Sequence, residues 1–106
     1  MLQHGKLDDS VSRAYYCMLH SAKALLVEWT GKSPKTHAGT IQALGELVRG
    51  GLVGRDLFDM IKKAKDIREK GDYSPFFASP RRTAERIASH ASSFYREAER
   101  LLKKGA

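Results

Sequence analysis

The stretch Asp8-Asp9-Ser10-Val11-Ser12-Arg13-Ala14-Tyr15-Tyr16-Cys17-Met18-Leu19-His20-Ser21-Ala22-Lys23-Ala24-Leu25-Leu26-Val27-Glu28-Trp29-Thr30-Gly31 decides the fold class. Val11, Tyr15, Met18, Ala22, Leu25 and Trp29 recur three and four residues apart, the spacing of one stripe along a helix. Asp8-Asp9-Ser10 offers N-cap candidates, and Gly31 followed by Ser33-Pro34 stops the segment. The other side is furnished as well. At 100° per residue Arg13, Tyr16, His20 and Val27 fall together, roughly opposite Met18 and Trp29. A helix occupied on both sides is central in its domain or meets a second subunit.

Three more helical segments follow. A second helix is expected to start near Thr36 and to carry Ile41, Leu44, Leu47 and Val48 to a stop at Gly50-Gly51. A third runs from about Arg55 to Lys70, with Gly71 as its stop. Ser79-Pro80 has the form of an N-cap and first-turn proline for a last helix, which aligns Ala84, Ile87, Ala88, Ala91, Phe94, Ala98 and Leu101. No stretch alternates as a half-buried strand would. The expected fold is all-α: a single domain over 1–106, an antiparallel up-and-down bundle of four main helices at about 8–30, 37–49, 55–70 and 80–104.

Composition is compatible with one modest core: 106 residues, 42% apolar and 29% charged, which argues against wholesale disorder. No apolar run approaches the length that crosses a bilayer, and Met1-Leu-Gln-His-Gly-Lys6 lacks the apolar stretch of a secretory signal. The single cysteine, Cys17, can form neither an internal disulfide nor a thiolate zinc site. A cytoplasmic location is the default expectation, with no membrane contact, no metal ligands and no cofactor. The net charge is +7, and it is uneven: six Lys/Arg against four Asp/Glu in residues 1–54, thirteen against eight in 55–106. A basic second half suits RNA, a nucleotide or DNA; a diffuse, solvated surface explains the same surplus.

Helix three holds the most pointed residue. Its apolar arc contains Leu57, Met60, Ile61, Ala64 and Ile67, and Arg68 projects into that arc. A guanidinium stays charged there and requires a carboxylate, a phosphate or water. Asp72 lies four residues on and Tyr73 follows it. The pair Arg68–Asp72 could be a local latch, or Arg68 could be an arginine held in a cleft to grip phosphate in a forked geometry. An orienting carboxylate serves both.

Ser12-Arg13-Ala14-Tyr15-Tyr16-Cys17-Met18-Leu19-His20-Ser21-Ala22 strongly resembles the S-R-A-Y-Y-x-M-x-H-x-A opening of one branch of the HEPN families. Lys35-Thr36-His37-x-Gly39 is similar to the start of that branch's next helix, and Arg68-Glu69-Lys70-Gly71-Asp72-Tyr73 to its R-x-x-x-D-Y element. The resemblance spans residues 8–104. It implies a four- or five-helix bundle that usually forms homodimers, with the functional arginines facing a cleft between subunits. Many HEPN proteins are ribonucleases, often toxins, encoded beside a minimal nucleotidyltransferase that acts as antitoxin. Their signature is an arginine followed after four to six residues by a histidine. Arg68 matches the arginine, but the corresponding positions here are Tyr73, Ser74 and Pro75. Relatives of this branch also carry a helix before the S-R-A-Y-Y segment, whereas only about seven residues precede the first cap expected here.

Three activities follow as expectations. The first is a nucleotide- or RNA-binding HEPN domain, partner of a minimal nucleotidyltransferase in a toxin–antitoxin-type pair. Arg68 would bind phosphate, Asp72 would orient it, and Tyr73 would stack on a base, donate its hydroxyl or be nucleotidylated by the partner. Arg13 and Tyr16 join the binding set if helix one lines the same cleft. The second is a metal-independent endoribonuclease in which Arg68 stabilises charge and His20, or else His37, is the base, since a phenol with a pKa near 10 is a poor one. His4 and His90 sit in no supporting pattern. The third is a plain dimerisation module with Arg68 purely architectural. The last helix, where Arg81, Arg82, Arg86, Arg96, Arg100, Lys103 and Lys104 interleave with Glu85, Glu97 and Glu99, is expected to be a solvated amphipathic helix. The aromatics of Tyr73-Ser-Pro-Phe-Phe77 are expected to tuck against the bundle.

Overall fold

Each apolar stripe becomes one buried helix face. The computed structural model of the chain describes residues 2–73 and 81–105, with side chains over 9–70 and 81–104. Four helices, α1 (Leu2–Thr30), α2 (His37–Arg49), α3 (Arg55–Tyr73) and α4 (Arg81–Gly105), form the chain, and no strand occurs among the described residues. The architecture is the expected all-α bundle. It is elongated, 46 Å by 22 Å by 18 Å, because α1 and α4 run side by side along most of its length. α1 touches all three other helices, whereas α2 and α4 do not touch each other. That central position explains why α1 is furnished on both sides.

The core is built from Tyr15, Met18, Leu19 and Leu26 of α1, Leu44 of α2, Leu57 and Ile61 of α3, and Ile87 and Phe94 of α4, all essentially inaccessible to solvent. Trp29, Val48, Met60 and Leu101 pack against its edge. Ala88 drops out of the α4 stripe and is exposed. Arg13, Tyr16, His20 and Val27 are all exposed, so the second face of α1 stays open in the single chain.

Helix ends differ from expectation at two places. α1 begins at Leu2 and runs straight through Asp8-Asp9-Ser10, where a cap was expected. No proline precedes those residues, and capping residues are tolerated inside a helix when their side chains find helical neighbours. Asp9 does so through an ion pair to Arg13 one turn on, at 3.0 Å. α3 likewise continues past Gly71 to Tyr73. A glycine in a helix costs only about 1 kcal/mol, and Pro75 is the first residue of the segment barred from a helical hydrogen bond. The other stops hold. Gly31 takes φ 74° and its N–H donates to the Val27 carbonyl at 2.9 Å, closing α1 as a left-handed cap residue does. At the end of α2 the Gly50 N–H donates to Glu46 and the Leu52 N–H to Leu47, each at 3.0 Å. The expected Ser79-Pro80 start of the last helix and the Tyr73–Phe77 loop lie outside the described side chains, and α4 is described from Arg81 onward.

Candidate functional site

Arg68 is where the sequence places it, on the inward side of α3 between Ile67 and Glu69, and α1 supplies what it meets. Tyr15 and Tyr16 are neighbours in sequence, so on a helix they point 100° apart. Tyr15 turns into the core and is 1% exposed, while Tyr16 stands at the rim and is 38% exposed. The Arg68 guanidinium fits between them, its carbon 5.6 Å from the Tyr15 ring centre and 5.3 Å from that of Tyr16. Both are cation–π distances. One terminal nitrogen donates a hydrogen bond of 3.2 Å to the Tyr16 hydroxyl. The Nε is buried and has no hydrogen-bond partner among the described residues. A charged, half-buried guanidinium is thus aimed by two rings with part of its donor fork unused.

A third aromatic group completes the cluster. Thr36 caps α2, its hydroxyl accepting from the Gly39 N–H at 2.9 Å. The glycine is needed there, because a Cβ at position 39 would stand 2.9 Å from that same hydroxyl oxygen. The cap fixes His37 in the first turn, edge-on to Tyr15 at 5.7 Å and to Tyr16 at 5.5 Å between ring centres. Burial lowers its proton affinity first, followed by the charges of Arg68 and Lys23. The positive end of α2 acts in the same direction. His37 is therefore biased toward the neutral imidazole that can accept a proton. Burial pushes the Tyr15 phenol up, against the pull of Lys65 and Arg68, so it stays protonated. Lys65 is itself paired with Glu69 on α3.

The Thr36 hydroxyl carries a direct prediction. Thr36→Ala removes the only described side-chain acceptor for the Gly39 N–H and should cost about 1 kcal/mol. Thermal unfolding should register this as a drop of about 4–8 °C. An unchanged midpoint would mean that the cap does not hold His37 in place.

The residues singled out from sequence separate into groups. Tyr16 and Arg68 meet. Arg13 does not join them: it is exposed and paired with Asp9. His20 is exposed, and no described hydrogen bond, ion pair or ring contact links it to Arg68. Asp72 falls one helical turn after Arg68 on the backbone of α3, and Tyr73 is that helix's last residue; their side chains lie outside the described residues. Two members of the cluster were undervalued in sequence: Tyr15, taken as core alone, and His37, taken as a lesser candidate for the base. Among the described residues no three His, Cys, Asp or Glu side chains gather as metal ligands would, and no helix is long and apolar enough to cross a membrane.

A four-helix domain that displays an aromatic-clamped arginine at the meeting of α1, α2 and α3 defines a class of small helical proteins with an anion-binding centre. The family model of the HEPN domain matches residues 1–102, and the chain belongs to that family. It is 32% identical over 100 residues to a UPF0332 protein of Archaeoglobus fulgidus, covering 94% of this chain and 79% of that one. It is 36% identical over 96 residues to a Methanocaldococcus jannaschii protein named provisionally as a toxin, covering 90% and 70%. A UPF0332 protein of Pyrococcus horikoshii is 48% identical over 56 residues, which span 52% of this chain but only 39% of that protein.

Proposed function

We propose that this chain is a nucleotide- or RNA-binding HEPN domain with a toxin-like role, paired with a minimal nucleotidyltransferase in the cytoplasm. The observation that carries the binding reading is Arg68: a guanidinium held over Tyr15 and Tyr16, joined to the Tyr16 hydroxyl, with its buried Nε unpartnered among the described residues. A phosphate oxygen is the acceptor that such a fork fits, and the rim-exposed Tyr16 ring offers a face for a base. Asp72 would orient the arginine and Tyr73 would add a second ring. Arg13, exposed on the same face of α1 as Tyr16, would reach a neighbouring phosphate. The toxin-like part rests on the family and on the name that the Methanocaldococcus relative carries. A homodimer joined through the open face of α1, where Tyr16 and Val27 are exposed, would place two such arginines near one cleft.

Titrating a labelled single-stranded RNA at 50 and 200 mM salt tests the binding. If about three phosphates are neutralised, affinity should fall by roughly tenfold or more between the two, since the slope for single strands is about −0.7 per phosphate. A plain dimerisation module would bind no RNA at either salt, and that result would overturn the reading. The partnership is tested separately, by co-purifying the chain with a small nucleotidyltransferase encoded beside it.

A further inference from the structure

The HEPN signature places a histidine four to six residues after its arginine, and this chain has Tyr73, Ser74 and Pro75 there. A histidine nonetheless reaches the arginine's neighbourhood, from another helix. We propose that His37, delivered from the first turn of α2 against the Tyr16 ring that also carries Arg68, is the general base of an RNA-cleaving reaction at this site. The inference rests on the phosphate-binding reading of Arg68 and adds a chemical step to it.

The geometry has three parts. His37 and Arg68 lie against the same two rings, His37 edge-on at 5.5 Å and 5.7 Å and the guanidinium at 5.3 Å and 5.6 Å. An RNA phosphate gripped by Arg68 therefore brings its own 2′-hydroxyl into the region of the imidazole. The histidine is fixed there by the Thr36 cap, whose hydroxyl accepts from Gly39 at 2.9 Å, and pre-positioning of this kind is what general-base catalysis requires. Finally, the groups around His37 keep it a proton acceptor. Tyr15 and Tyr16 from α1 are neutral phenols, Lys23 from α1 and Arg68 from α3 are cations, and no carboxylate is among the causes acting on it.

The step balances as a transesterification. The 2′-oxygen gives its proton to His37 and forms a bond to the adjacent phosphorus, while Arg68 holds the charge that builds on the phosphoryl oxygens. The bond from phosphorus to the 5′-oxygen breaks, its electron pair leaves with that oxygen, and water supplies the proton. One fragment ends in a 2′,3′-cyclic phosphate and the other in a 5′-hydroxyl. The imidazolium then returns its proton to water. Only RNA can be cut in this way, because the nucleophile is the 2′-hydroxyl.

The test is to incubate the purified full chain with an end-labelled single-stranded RNA and with the same strand carrying 2′-deoxyribose, and to identify the fragment ends. Wild-type protein should yield cyclic-phosphate ends from RNA and none from the deoxy strand. His37→Gln should retain RNA affinity and slow cleavage by about 100-fold or more, the low end of what a positioned base contributes. The wild-type rate should fall as pH drops through a value below the usual histidine 6.5, and that limb should vanish in His37→Gln. His37→Asn, checked for helicity and melting, guards against misfolding of the first variant. Wild-type protein that binds RNA without cutting it, or a loss that follows His20→Gln instead of His37→Gln, would overturn the proposal and leave the binding site standing. Failure to bind RNA at all would remove both.

Discussion

Tyr15→Ala should lower stability by about 3–5 kcal/mol, the range for emptying an aromatic side chain from a packed core. Tyr15 is among the largest fully buried side chains of the bundle and lies on α1, the one helix in contact with the other three. Its loss opens a cavity at the junction that organises the domain. In a chain of this size each kcal/mol is worth several degrees, so the melting temperature should fall by roughly 15 °C or more. Tyr15→Phe is the control, because it keeps the ring against Arg68 and His37 and removes only the hydroxyl; it should melt close to wild type. Calorimetry or circular dichroism settles the matter. A Tyr15→Ala protein that melts within a few degrees of wild type would show that the ring is not embedded as the structure has it.

Tyr15 also shows why the bundle was legible in sequence when the site was only half so. Helical stripes are local. Val11, Tyr15, Met18 and Ala22 announce their common face by spacing alone, and the same holds for Leu57, Ile61 and Ala64 on α3 and for Ala84, Ile87, Ala91 and Phe94 on α4. Arg68 was legible by contrast, as a charge that breaks an apolar arc. His37 was not. Its spacing fixes only its place in the first turn of α2; that this turn folds down onto two tyrosines of α1 depends on the Lys32–Thr36 connection and on the packing of α2, which no periodicity encodes. The same limit applies to Arg13 and His20. The angular argument rightly grouped them with Tyr16 on one face of α1, where all three are exposed, but sharing a face does not mean sharing a partner. The helix ends went astray where a capping residue or a glycine was given the weight of a proline: Asp8-Asp9-Ser10 and Gly71 are permissive, and the chain passes through both as helix.

Arg68→Met should separate stability from binding. Methionine has a similar length and no charge, and it makes favourable contacts at aromatic rings, so it can fill the slot between Tyr15 and Tyr16. The guanidinium, by contrast, leaves a buried Nε without a described partner and keeps its charge half-desolvated, conditions that cost free energy in the unliganded protein. The variant should therefore melt at or above the wild-type temperature. Binding should move the other way. Hydrogen bonds to charged groups are worth about 1.5–3 kcal/mol, so losing the fork should weaken RNA binding by roughly tenfold or more. Arg68→Lys should fall between the two, keeping the charge and losing the planar fork. The opposite pattern, in which Arg68→Met melts several degrees lower and binds RNA like wild type, would mark Arg68 as a fastener between α1 and α3. Gain of stability with loss of binding is the pattern expected of a residue kept under strain for a ligand, because a merely structural contact has no reason to leave a buried donor idle.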